Sequence, residues 1–297
     1  MGDKPSEAAP TGGRGRRSAA RRLVRLLLRR PLALTGLVII LGLLLVALVG
    51  PQLTRYDPNL VTPRERFIAP CREHPLGTDH LGRDVMTRIV YGTRISFLVA
   101  VVIISLTAAV GTVIGAVAGY FGGYIDEVLM RITDVFMSFP WLVLAMAAST
   151  VMGPSLMTAM LAVSLVWWPG DARLIRSMVM SAKTEDYVEA AAAIGASRFK
   201  ILFRHILPNC FSPLLVRMSM DAGRVILATA SLSFIGLGAQ PPTPEWGVMV
   251  ADGRVNLFDA WWMATFPGLA IVLIVVGFNL LGDAIRDVLD PKGVYRV

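Results

Sequence analysis

The sequence predicts an all-α integral membrane protein with about six transmembrane helices and a helical cytoplasmic loop. Three observations carry that prediction. Of 297 residues, 55% are hydrophobic and only 17% are charged, against about 25% charged in a typical soluble domain. The mean hydropathy is +0.61. Charge is absent from five long stretches, 31–54, 95–125, 135–170, 225–244 and 260–282, and one bilayer crossing needs ~20 apolar residues at 1.5 Å rise each.

Residues 1–30 come first and hold nine Lys/Arg against Asp3 and Glu7, so most of the chain's net charge of +8 sits in this tail. A basic stretch before an apolar run is a cytoplasmic flank under the positive-inside rule, and its location argues against a nucleic-acid binder. The run that follows is too long for a signal-peptide core, and further spans come after it. Residues 1–20, rich in Gly, Ser, Ala and Arg, are expected to be disordered.

The spans are predicted at 32–51, 95–120, 131–152, 156–177, 210–237 and 263–283. The uncharged run 135–170 is too long for one crossing and reads as a hairpin turning at Gly153-Pro154-Ser155. Its halves extend into charged flanks, where Arg131, Arg173 and Arg176 are expected to snorkel. An even span count puts both termini on one side. With the tail inside, 121–130, 178–209 and 284–297 are cytoplasmic, and 52–94 and 238–262 lie outside. The chain divides into the tail (1–30), the first span with its outside loop (31–94), a transmembrane core (95–283) and a cytoplasmic end (284–297).

Charges inside spans are functional candidates. Arg217, Asp221 and Arg224 sit early in the fifth span, towards its inner interface, at spacings i, i+4 and i, i+3. Both mutual neutralisation and the lining of an aqueous cavity fit that spacing. Asp283, Arg286, Asp287 and Asp290 form a similar ladder at the end of the last span. Trp167, Trp168, Trp246, Trp261 and Trp262 are expected at the membrane interfaces as an aromatic belt. His74 and His80, near Asp79 and Asp84, read as loop structure rather than a metal site, because Pro75, Gly77 and Gly82 mark bends. His205 reads as a structural histidine rather than a pH sensor. Cys71 and Cys210 fall on opposite sides of the membrane, which excludes a disulfide between them. Two cysteines alone also do not build a four-ligand metal site.

The loop 183–208 carries the strongest signal. Thr184 reads as an N-cap, with Glu185 and Asp186 in the first turn where the helix dipole favours acid. Ala190 to Ala193 give high helix propensity and a slim profile. Gly195 is placed to end this helix with φ > 0. A second helix from Ser197 puts Phe199, Leu202, Phe203 and Ile206 on one face. Pro208 is expected to bend the chain as it returns to the membrane. A plain inter-span loop fits the same residues, and a DNA-binding helix-turn-helix does not suit a segment tethered between two spans.

Glu189-Ala190-Ala191, then Gly195, then Leu207-Pro208 resembles the EAA loop of binding-protein-dependent ABC importers, E-A-A-x3-G, nine residues, then I-x-L-P. His205 departs from it where the pattern has Ile. His74-Pro75-Leu76-Gly77-Thr78-Asp79 with Leu81-Gly82-Arg83-Asp84 is similar to the outside loop of the dipeptide/oligopeptide/nickel permeases. So are Leu232 to Gly238 with Pro241-Pro242, and Asn279 to Asp283 with Arg286, Asp287, Asp290 and Pro291. The similarity runs from about residue 32 to 293 and matches the second, C-type permease of these systems. The resemblance implies that Glu189, Ala190, Ala191, Gly195, Leu207 and Pro208 belong to a coupling element that docks on a cytoplasmic ATPase. It also implies a homologous sister permease, two ATPase subunits that bind ATP and Mg, an extracytoplasmic solute-binding protein, and a place in the cytoplasmic membrane. It implies a peptide as the commonest cargo, with nickel and glutathione as other solutes of the branch.

No G-x4-G-K-[S/T] stretch exists in the chain, so this chain is expected to have no ATPase site of that kind, no catalytic residue and no cofactor of its own. Two other classes fit the sequence less well. A membrane-embedded hydrolase needs a nucleophile with a base in the membrane, and all three histidines fall in loops. A channel would show a repeated pore motif, which the sequence lacks.

Overall fold

The computed structural model describes residues 31–289. The predicted tail, Asp290 and Pro291 lie outside the described residues. Among the described residues the secondary structure is helical, with only an isolated antiparallel bridge between Thr78 and Asp84.

Helix α1 (Pro31–Leu53) is apolar on all sides. It packs on the last helix through Gly36, where a Cβ would lie 2.7 Å from Leu280 Cβ. The loop 54–84, expected outside, then folds on itself around Thr78. The Thr78 backbone N–H donates to the Ile68 carbonyl at 2.9 Å, and its hydroxyl accepts from the Ile68 N–H at 2.9 Å. Asp84 caps the next helix, its carboxylate accepting from the Thr87 N–H at 2.7 Å.

Helix α2 (Val85–Phe121) starts ten residues before the predicted 95. The sequence placed the start too late because Arg88 and Arg94 look like loop charges. Both are instead provided for. Arg88 is 1% exposed and donates to the Pro58 carbonyl at 2.8 Å. Arg94 donates to the α1 carbonyls of Ala47 and Leu48.

The predicted third span, 131–152, is not one straight helix. Helix α3 (Gly123–Ser138) and helix α4 (Trp141–Met152) meet at 92° across Phe139-Pro140. Pro140 has no N–H to continue the ladder and disfavours helical geometry at Phe139. The segment expected as a cytoplasmic link, 121–130, is mostly α3. Gly153 turns the hairpin at φ +84°, and the Ser155 hydroxyl caps helix α5 (Leu156–Lys183) by accepting from the Thr158 N–H at 3.0 Å.

Arg173 and Arg176 on α5, expected to snorkel, have carboxylate partners within the chain. They pair with α3: Arg173 with Asp134 at 2.5 Å, and Arg176 with both oxygens of Asp126 at 2.5 Å. Helix α5 packs closely on α2 along Gly111, Gly115 and Gly119, whose spacing of four residues aligns them on one face. Such small-residue seams let membrane helices approach backbone to backbone.

Short helix α6 (Asp186–Ala193) follows. After it, an α turn (Arg198–Lys200) and a π-helix (Ile201–Ile206) run into helix α7 (Leu207–Phe234). Helix α8 (Trp246–Arg254) lies in the predicted outside segment, and helix α9 (Trp262–Leu289) ends the described chain.

Helices α1, α2 and α9 are long and apolar enough to cross a membrane, and the bent α3–α4 pair makes a fourth if it counts as one span. Helices α5 and α7 have 28 residues each, about 42 Å of helix, so length suffices. Their lower hydropathy comes from Asp171, Arg173 and Arg176 in one and Arg217, Asp221 and Arg224 in the other.

The aromatic belt is only partly seen. Trp246 is 1% exposed, and its indole donates to the Ile89 carbonyl at 3.1 Å. Trp262 is buried and donates to the Thr78 carbonyl at 3.0 Å. Trp168 is buried too, packed edge-on to Phe136. These three fasten elements together, while Trp261 stays exposed as expected.

A coupling-type loop and a membrane charge cluster

Ser181 and Ala182 close the end of α5 by accepting from the Thr184 N–H. Thr184 is thus the C-cap of α5 rather than the N-cap of the next helix. Glu185 holds the N-cap position of α6, without a side-chain cap bond. Val188 and Ala191 turn inward and pack with Ile175, Val179, Ile201, Leu202 and Ile206. Glu189 and Ala190 face out. So one alanine of the predicted docking set is spent on the chain's own core, and Glu189 presents its carboxylate to the surroundings.

The helix ends as predicted at Gly195, with φ +79°. The Gly195 N–H donates to the Ala192 carbonyl at 3.0 Å and the Ala196 N–H to the Ala191 carbonyl at 3.1 Å. These two bonds are the Schellman pattern, which needs a residue that tolerates φ > 0. Ser197 then caps the next turn, accepting from the Lys200 N–H.

The second half of the loop departs from the prediction twice. The predicted stripe splits: Leu202 and Ile206 are buried, whereas Phe199 and Phe203 are exposed and stacked on each other, centroids 6.5 Å apart. The π-helical turns at Ile201–Ile206 cause this, because their i→i+5 bonds widen the turn and shift later side chains relative to a 3.6-residue register. Ile201 takes the vacated core position. Nor does Pro208 break the chain. The Leu207 N–H reaches back to the Leu202 carbonyl, and Pro208 sits in the first turn of α7, where its missing N–H costs little. His205 lies in the π-helix, and its carbonyl accepts from Asn209 at 3.1 Å.

Deeper in the fold, Arg217, Asp221 and Arg224 come together as their spacing suggested. Arg217 Nε lies 2.5 Å from one Asp221 oxygen, and Arg224 lies 3.2 Å from the other. A fourth member was missed: Asp171 of α5, buried and 3.8 Å from Arg217 Nε. The sequence offered a signal for it, since Asp171 ends the uncharged run 135–170. What no pattern could give is that α5 and α7 set it opposite Arg217. Asp171 and Asp221 are both buried, so the cluster holds two desolvated carboxylates against two arginines.

In the loop 54–84, His74 pairs with Asp84 at 2.9 Å and Arg83 with Asp79 at 2.6 Å. The histidine and carboxylates of that segment thus serve loop structure. Glu245 caps α8, accepting from the Val248 N–H at 3.0 Å. Burial pushes its carboxyl above the ordinary range, opposed by the Gly247 and Val248 amides. Burial likewise raises Asp252, opposed by His80, Arg83 and Arg88. Cys71 is exposed and Cys210 buried, and both are free. On α9, Asp283, Arg286 and Asp287 are exposed.

Comparison with known proteins bears on this geometry. Residues 111–293 match the family described as "Binding-protein-dependent transport system inner membrane component", and residues 18–70 match "N-terminal TM domain of oligopeptide transport permease C". The chain is 45% identical over 271 residues to a probable D,D-dipeptide transport system permease protein of Escherichia coli K12, covering 91% of each chain. It is 41% identical to a dipeptide transport system permease protein of Alkalihalophilus pseudofirmus, over 98% of this chain and 96% of the relative. In fold it is similar to a chain of the MetNI methionine ABC transporter in an inward-facing conformation. That match has a TM-score of 0.52 at 18% identity and covers 69% of this chain and 97% of the other. The chain therefore belongs to the family of binding-protein-dependent transport system inner membrane components, in the branch that holds its dipeptide-permease relatives.

Proposed function

We propose that the chain is the C-type permease subunit of an ATP-driven peptide importer and forms half of the path for a di- or oligopeptide. Membership in a family of transporter permeases leaves the hydrolase and channel readings without support. Relatives named for dipeptides across nearly the whole chain support the cargo class. On this reading both termini are cytoplasmic, α5 and α7 cross the membrane, and the outside segments 52–94 and 238–262 meet a solute-binding protein.

The observation that carries the coupling role is the construction of the 183–208 loop. Its first helix is anchored inward by Val188 and Ala191, ends at Gly195, and leaves Glu189 exposed without a described partner. An exposed carboxylate on a rigid, slim helix suits a contact with another chain. That chain is one of two ATPase subunits that bind ATP and Mg, and a homologous permease completes the path. Glu189, Ala190, Gly195, Leu207 and Pro208 form or support the coupling element, with Ala191 as its inward anchor.

Reconstitution tests this. The chain with its sister permease and ATPases in vesicles, supplied with the binding protein, should accumulate labelled dipeptide only with ATP and Mg. Uptake by this chain alone, or ATP-independent flux, would overturn the proposal.

A further inference from the structure

Arg224 is the least covered member of the membrane charge cluster, its side chain 59% exposed. It stands ten residues before the end of α7 at Phe234, about 15 Å along the helix axis. That is half the ~30 Å thickness of a hydrocarbon core. An arginine at that depth does not face lipid, because the cost confines such residues to bundle interiors and water-filled cavities.

The surrounding pattern agrees. Pro213, Arg217, Arg224 and Leu227 lie along one stripe of α7 and are exposed or half-buried, while Met220 between them packs against Gly282 of α9. The opposite side of α7 carries the buried Ala222, Val225 and Ile226. The open face therefore looks into the aqueous path or onto a partner subunit. The two carboxylates of the cluster are withdrawn from that face, buried between α5 and α7 and held chiefly by Arg217. A guanidinium has five N–H donors. Among the described residues, Arg224 reaches only one acceptor, Asp221 at 3.2 Å. What remains is a forked set of donors aimed away from the protein at mid-membrane, matched in geometry to a carboxylate.

We propose that Arg224 receives the C-terminal carboxylate of the cargo peptide in the membrane path. This rests on the peptide-importer reading above. It adds a specificity-determining contact within the path, separate from any choice made by the binding protein.

The test uses the assembled complex in vesicles, with binding protein saturated either by a labelled dipeptide or by its C-terminal amide. Wild-type protein is compared with Arg224→Gln and Arg224→Lys. Arg224→Gln should lower uptake of the free acid roughly tenfold, the scale of a lost charged hydrogen bond, and leave amide uptake near wild type. Arg224→Lys, which keeps the charge and loses the fork, should fall between. Equal loss for acid and amide, or no loss for either, would overturn the inference while leaving the importer intact. So would loss of the sister permease from the purified Arg224→Gln complex, which would assign Arg224 to a contact between subunits. Failure of wild type to move any peptide would instead sink the peptide reading, and this inference with it.

Discussion

Gly115 on α2 and Ala172 on α5 meet backbone to backbone: a Cβ built on Gly115 would lie 2.3 Å from the Ala172 carbonyl oxygen. Neither backbone can yield without moving a helix, so Gly115→Ala should destabilise by about 1–3 kcal/mol through overpacking. Gly42 on α1 has no atom within 4 Å of the same added carbon. Gly42→Ala should therefore be neutral or stabilising, by up to about 1 kcal/mol of helix propensity. Thermal unfolding of the two purified variants separates these outcomes, and equal behaviour would remove the seam from the account of stability.

Gly195 and Glu189 should fail in different ways. Valine at φ +79° is strongly disfavoured, so Gly195→Val should misdirect the second half of the loop and weaken ATPase binding in a pull-down. Glu189→Ala should leave α6 intact, since alanine has the better propensity. Any loss of uptake or of ATPase stimulation in that variant then comes from a missing contact with another chain. Both variants retaining full uptake and full ATPase binding would take this loop out of the mechanism.

The membrane cluster should behave as a unit. Arg217→Ala leaves Asp171 and Asp221 buried without their shared partner, a loss on the order of 3–5 kcal/mol. The double variant Arg217→Ala/Asp221→Asn should be more stable than the single one, with a coupling energy above about 1 kcal/mol. Additive effects in a double-mutant cycle of thermal unfolding would mean the pair is solvated and contributes little.

Glu245 gives the segment 238–262 a pH dependence whose sign is fixed. Burial raises its folded pKa above the ordinary carboxylate value, about 4.3 in an unfolded chain. The folded state therefore holds the proton more tightly. Its stabilising contribution is complete below about pH 4 and is lost as pH rises through the raised folded value. Hydrogen exchange at the Val248 amide should accelerate across that window in wild type. It should do so less in Glu245→Gln, which keeps an acceptor and loses the charge. An unchanged slope in that variant would place the dependence elsewhere, with Asp252 the next group to substitute.

The native cysteines offer a topology test. Cys71 is exposed and Cys210 buried, so an impermeant maleimide should label intact cells at Cys71 and lose its signal in Cys71→Ser. A cysteine placed at position 189 in that background should react only after the membrane is opened. Labelling of position 189 from outside would invert the topology.

Much of the helical layout was legible because charge-free runs and helix-ending glycines report on local physics. Gly153 and Gly195 were placed correctly for that reason. The misplacements share one cause, which is that polar groups found partners that a linear pattern does not display. Arg88 is buried and bonded to a carbonyl of the loop 54–84, and Arg94, though exposed, is bonded to carbonyls of α1. Trp246 and Trp262 look like interface residues but are buried with their indoles bonded to distant carbonyls. Asp171 joins the charge cluster only because α5 and α7 bring residues far apart in sequence together. The π-helical register at Ile201–Ile206 depends on local widening that hydrophobic periodicity assumes away.

From Arg198 to Phe234 the chain runs through α, π and α geometry with no loop between. Its first turns are clasped by Val188 and Ala191, and Arg224 rides in its last third, ten residues from the end. Such a member works as a tiller. On the importer reading proposed above, a displacement at the clasp would arrive inside the bilayer as a tilt or a turn of the same rod, and the fork of Arg224 would swing with it. On that reading the hand on the tiller is outside the membrane, and the blade sits where cargo would pass.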